Sequence, residues 1–213
     1  MIRLQKSVAP PVLVANGDTW RDEYLAALAR GGEIPDSIRF RYRHPAIKAA
    51  LRAEAYGKCV YCESKLPVGE TDHIEPVTEC PEKIVFWLNL CLACKECNTN
   101  KGSYYSVLEP LINPFIEDPG PHLLFFGPLV LPRAGNAKGF RTALRIKLSR
   151  TDLLQRRAER VQRLQPLVSQ WISQPAGETK ELLRQVLLDE ASDSAEFAAV
   201  VRAYLYQELG WDL

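Results

Sequence analysis

Four of the six cysteines in this chain stand in two Cys-x-x-Cys pairs, Cys59/Cys62 and Cys94/Cys97, with 31 residues between them. That spacing constrains the fold more than any other feature. Four thiolates can close a tetrahedral site around one Zn²⁺ and so tie two distant stretches of chain together. Such a site leaves no open position for water, so its expected role is structural. Cys91 offers a competing pair, Cys91/Cys94, ranked lower because it would take Cys97 away from the head of a helix. Cys91 and Cys80 are otherwise expected to be buried thiols. The N-terminal residues show no apolar signal core, and no run approaches the ~18–20 apolar residues that cross a bilayer. The expected setting is therefore cytoplasmic, without a membrane partner, where thiols stay reduced.

The pattern along the chain predicts three stretches: a helical lead-in over 1–56, a cysteine-framed core over 57–105, and an irregular wrap followed by helices over 106–213. Thr19–Arg30 reads as a short helix closed by Gly31-Gly32, and His44-Pro45 as the start of another that Gly57 ends. Two strand-like stretches, Thr71–Ile74 and Leu88–Leu92, lie between the cysteine pairs, and Cys97–Lys101 opens a short helix. The Pro-rich residues 108–132 read as an ordered loop, and the alternation in Arg141–Leu148 reads as a strand. Beyond it Val161, Leu164, Val168 and Trp171 keep a helical stripe that Pro166 should break. Glu178–Glu190 is a further helix, and Asp193 with Glu196 resembles a capping box opening the last one.

The formal net charge of +1 hides strong local imbalance. Residues 39–58 hold six Lys or Arg against one acid, residues 133–163 ten against two, and residues 164–213 three against eight. Two basic segments are thus expected to flank a functional centre, with Arg156 and Arg157 among the groups that would hold a phosphate backbone. The acidic tail is expected to pack on the core, with Trp211 free to anchor a partner.

Within the cysteine frame stand Asp72-His73-Ile74-Glu75-Pro76, then Asn89-Leu90, then Cys94-Lys-Glu-Cys97-Asn98-Thr-Asn-Lys101. This order resembles the HNH, or ββα-metal, endonucleases over about residues 57–102, with Asn98 in place of the last His. The resemblance implies an α+β fold in which a small zinc-braced ββα-metal core is embedded in a mainly helical protein. Asp72 and Asn98 supply oxygen atoms that suit Mg²⁺ or Mn²⁺. His73, on the same strand, can accept a proton from water at neutral pH. By resemblance Asn89 fixes the His73 loop and Lys101 contacts a phosphate. The run Cys59-Val-Tyr-Cys62-Glu63 is also similar to the knuckle of HNH nucleases encoded with an ATPase in bacterial anti-phage defence. These include the nuclease subunit of the Septu system and retron-associated proteins.

The resemblance therefore implies a metal-dependent hydrolase of DNA, with structural zinc, a catalytic divalent ion and an ABC-type ATPase partner. Two other readings compete. One is a non-catalytic zinc-knuckle module that binds nucleic acid or a partner, which would need neither Asp72-His73 nor Asn98. The other is a stand-alone nicking HNH nuclease, which would be expected to append a DNA-reading module that the sequence does not show.

Overall fold

The computed structural model describes residues 1–213, and it is a mixed α/β architecture that is roughly half helical. Helix α1 spans Pro11–Arg30, α2 Asp36–Arg39 and α3 Pro45–Glu54. A hairpin follows, β1 (Glu70–His73) antiparallel to β2 (Leu90–Ala93), and α4 (Lys95–Lys101) completes a ββα unit. A second hairpin pairs β3 (Leu123–Phe126) with β4 (Leu129–Pro132). Four helices close the chain: α5 (Ala137–Ile146), α6 (Thr151–Ser173), α7 (Glu178–Glu190) and α8 (Ala198–Leu209). No helix is long and apolar enough to cross a membrane.

One apolar core runs from Met1 and Leu4 through Ile47, Leu51, Leu90 and Ile112 to Phe197 and Val200. The lead-in, the ββα unit and the last helix thus bury their side chains together. A smaller core of Leu164, Val168, Leu187, Val201 and Leu205 joins α6, α7 and α8.

Several expected elements differ in the structure, each for a local reason. Helix α1 begins eight residues earlier than Thr19, because Pro11 occupies its first turn, where proline is preorganised for a helix. Residues 123–132 form a hairpin rather than a loop, turned at Gly127 with φ 51°. Arg141–Leu148 is not a strand. Asn136 accepts the Gly139 N–H at 2.8 Å and opens α5, which buries Thr142 and Ile146 at helical spacing and leaves Leu144 exposed. Pro166 does not break α6, which runs to Ser173 while Leu164 and Val168 stay buried. The capping box is also absent. Phe197 precedes α8 with φ 55°, while Asp193 pairs with Arg202 and Glu196 with Arg156.

The closest backbone approach lies where α5 passes the entry to β3. A Cβ on Gly139 would sit 2.1 Å from the carbonyl oxygen of His122 and 2.9 Å from its carbon. Backbone cannot yield as a side chain does, so Gly139→Ala is expected to cost about 2 kcal/mol of stability. Denaturant unfolding measures it, and wild-type stability in the variant would contradict this packing.

Candidate active site and metal centre

The first cysteine pair lies on a tight knuckle after α3. Cys59 donates its N–H to Ser64 O at 2.9 Å and accepts the Glu63 N–H at 2.9 Å, with Glu63 at φ 64°. The second pair opens α4, where Cys94 Sγ accepts the Cys97 N–H at 3.3 Å. All four Sγ atoms of Cys59, Cys62, Cys94 and Cys97 lie within 4.8 Å of one another. Cys62 and Cys94 are 3.9 Å apart, close to the ~3.8 Å tetrahedral edge that a Zn–S bond of ~2.3 Å implies. The cluster could hold a zinc ion. Arg150 donates to Cys97 Sγ at 3.4 Å and lies 3.8 Å from Cys94 Sγ, a cation placed to offset thiolate charge. Cys91 is outside the cluster, with its thiol 3.6 Å from the Tyr61 hydroxyl, so the competing pair falls away. Burial pushes that thiol well up, holding it protonated.

Alternation along β1 turns Glu70 and Asp72 toward α4. Asn98 and Lys101 meet them from one face of that helix. Asn98 Nδ2 donates to Glu70 Oε2 at 2.8 Å, leaving its Oδ1 as the atom a cation could take. Lys101 Nζ lies 3.2 Å from Asp72 Oδ1, and the Tyr61 hydroxyl donates to Asp72 Oδ2 at 2.8 Å. Burial pushes the Asp72 carboxyl up, while Lys101 and Tyr61 act the other way. Asp72 and Asn98 offer oxygen atoms of the kind a hard divalent ion takes, with both Asp72 oxygens here held by Lys101 and Tyr61. The Cys91 thiol lies 3.9 Å from Asp72 Oδ2 but is held protonated, so water and phosphate would complete the coordination of an ion there, as is usual for Mg²⁺.

His73 is the last residue of β1. Its Nε2 lies 2.8 Å from the carbonyl oxygen of Ile84, and the Tyr42 ring packs edge-on with centroids 4.7 Å apart. A carbonyl only accepts, so Nε2 carries the proton and Nδ1 keeps its lone pair. Burial holds the imidazole pKa down to about 4, and the Lys101 charge pushes the same way. Asn89 fastens the following loop with two bonds. Its Oδ1 accepts the Glu75 N–H at 2.8 Å and its Nδ2 donates to Glu75 O at 3.0 Å.

Four sequence expectations need correction. Lys101 is not a free phosphate contact. It is 2% exposed and donates to His73 O at 2.8 Å besides pairing with Asp72. Arg157 is 1% exposed and donates to Leu148 O at 2.6 Å, so it supports the core rather than a nucleic acid. Arg156 is exposed but already paired with Glu196 and set over the Phe197 ring. Trp211 is likewise not free, packing edge-on against Trp171. Sequence reasoning missed Glu70 and Tyr61. The two-residue strand period from Asp72 points to Glu70, whereas Tyr61 is only one aromatic within a knuckle.

Residues 59–104 match the family model of the HNH endonucleases. The chain is 31% identical over 158 residues to Septu protein PtuB of Bacillus thuringiensis, covering 72% of this chain and 57% of that relative. It is 26% identical over 199 residues to Septu protein PtuB of Bacillus mycoides, covering 75% and 66% respectively. The chain thus spans less than two thirds of the length of either relative. It carries an HNH endonuclease domain, and the matched stretch contains the cysteine cluster, the β1–β2 hairpin and α4.

The buried imidazole makes stability depend on pH. Its folded pKa lies below the ordinary 6.5, so the unfolded chain binds the extra proton as pH falls from about 6.5 toward 4. Between pH 7 and pH 5 this linkage is expected to cost the protein about 2 kcal/mol. Denaturation of wild type and His73→Gln at both pH values measures it. An equal acid loss in the two proteins would contradict a neutral, buried His73.

Proposed function

We propose that this chain is a metal-dependent endonuclease that hydrolyses phosphodiester bonds of DNA, with His73 as the general base. The observation that carries the reading is the state of that imidazole. Nε2–H is committed to Ile84 O, and the free Nδ1 belongs to a ring that stays neutral at physiological pH. Nδ1 takes the proton of an attacking water as its oxygen bonds to phosphorus and the bond to the leaving oxygen breaks. Ile84 O stabilises the resulting imidazolium through Nε2–H, as a carboxylate does in other histidine bases. A divalent ion held by Asp72 and Asn98 would neutralise the scissile phosphate and stabilise the leaving oxygen. Lys101 positions both neighbours, holding Asp72 by its charge and the backbone of His73 by hydrogen bond. Asn89 keeps the loop after His73 from swinging away.

The four cysteines take the structural zinc in this reading, and the chain acts as the nuclease effector of an anti-phage complex in the cytoplasm. Support for that setting comes from the two Septu relatives and from the knuckle Cys59-Val-Tyr-Cys62-Glu63. The partner is an ABC-type ATPase, as that resemblance implies.

Two measurements test the assignment. His73→Ala is expected to slow plasmid cleavage with Mg²⁺ or Mn²⁺ by ~10²–10⁴-fold at unchanged circular dichroism. Cleavage equal to wild type would remove His73 from the chemistry. Zinc is expected to copurify at about one ion per chain and to remain in Asp72→Ala, which loses only divalent-dependent cleavage. Loss of zinc from Asp72→Ala would contradict the separation of the two metals.

A further inference from the structure

A second surface adjoins the site. Helix α5, the end of α4 and the loop after β4 enclose an open cleft of about 1100 Å³. Its fourteen lining residues include four cations, Arg133, Arg141, Arg145 and Lys147, and no carboxylate. Only Arg141 is paired with an acid, Glu109 at 2.7 Å. Arg133 donates to Gly120 O and Arg145 to Lys101 O, so their charges are not neutralised by those partners. Apolar groups stand among these cations. Phe140 is 58% exposed and Leu144 65% exposed, one helical turn apart on α5. Tyr104 lies under the Arg145 guanidinium at 5.4 Å.

We infer that this cleft binds unpaired nucleotides, so that the substrate reaches His73 as a single strand or from a melted stretch. Four cations, three of them without an acid partner, select a polyanion. The exposed ring decides which kind. A duplex turns its phosphates outward and keeps its bases stacked, so Phe140 would meet only backbone. Unpaired bases offer free π faces to an aromatic ring and a guanidinium. The cleft is also tied to the site. Lys101 accepts from Arg145 through its carbonyl while its ammonium holds His73 O and Asp72. The cleft therefore meets the site through Lys101, which Arg145 contacts on one side and which bonds His73 O and Asp72 on the other. The inference rests on the nuclease reading for its consequence, while binding can be measured apart from cleavage.

The test uses the full chain carrying His73→Ala, so that nothing is cut. A labelled single-stranded DNA of mixed sequence, and the same sequence as duplex, are titrated by fluorescence anisotropy over a range of salt. Phe140→Ala is expected to weaken single-strand binding by about ten-fold, Phe140→Tyr to retain it, and duplex binding to change little. Arg133→Glu with Lys147→Glu is expected to weaken single-strand binding and flatten its salt dependence. Thermal melting confirms folding of each variant. Unchanged single-strand affinity in Phe140→Ala overturns the inference, as does equal loss for duplex. A variant that loses only a protein partner and keeps the oligonucleotide also overturns it. If His73-intact protein fails to cleave while Phe140→Ala still loses single strands, the cleft stands and the nuclease reading falls.

Discussion

Two stretches of chain that are far apart in sequence meet at four sulfur atoms, and the position of every group in the site follows from that meeting. Cys59 and Cys62 hold the knuckle after α3, and Cys94 and Cys97 hold the first turn of α4. A helix of seven residues is too short to persist alone in water. Anchored at its N-terminus, it has its rotation and height fixed. Asn98 then faces Glu70, and Lys101 faces Asp72, as one set of side chains across a strand and a helix.

Lys101 is the costliest member of that set. A buried ammonium forfeits its hydration and persists only where charge and hydrogen bonds replace it. Here Asp72 supplies the charge and His73 O a hydrogen bond, so the cation that opposes a carboxylate also pins the strand end carrying the imidazole. The same charge helps keep His73 neutral. One side chain thus links Asp72 to the backbone of His73. Arg133, Arg145 and Lys147, which have no acid partner, gather on α5 and around the loop after β4.

Much of this was legible in the sequence where the chemistry is local. The cysteine spacing located the cluster, and Asp72-His73 and Asn98 placed residues of the hairpin and α4. His44-Pro45 opens α3, with His44 Nδ1 accepting the Ala46 N–H. What was not legible depends on long-range packing. Nothing local marks Arg157 as buried rather than solvated, because its carbonyl partner belongs to Leu148 and its ring neighbour to Phe197. The short alternation in Arg141–Leu148 fits a strand as well as a helix, and the Asn136 cap decided the matter. Lys101 reads as an ordinary terminal lysine until β1 is placed against its helix.

The central claim is that the cysteine cluster, by anchoring α4 and through Lys101 the end of β1, keeps His73 buried beside Ile84 O in its neutral, Nε2-protonated state. Nitrogen NMR of the imidazole, before and after chelation of the copurified zinc, tests it most directly. With zinc in place, His73 is expected to show Nε2–H alone and to stay neutral as pH is lowered to about 5. After chelation it is expected to exchange between tautomers and titrate near the ordinary 6.5. A His73 that remains neutral and Nε2-protonated without zinc would show that the cluster is not what builds the site.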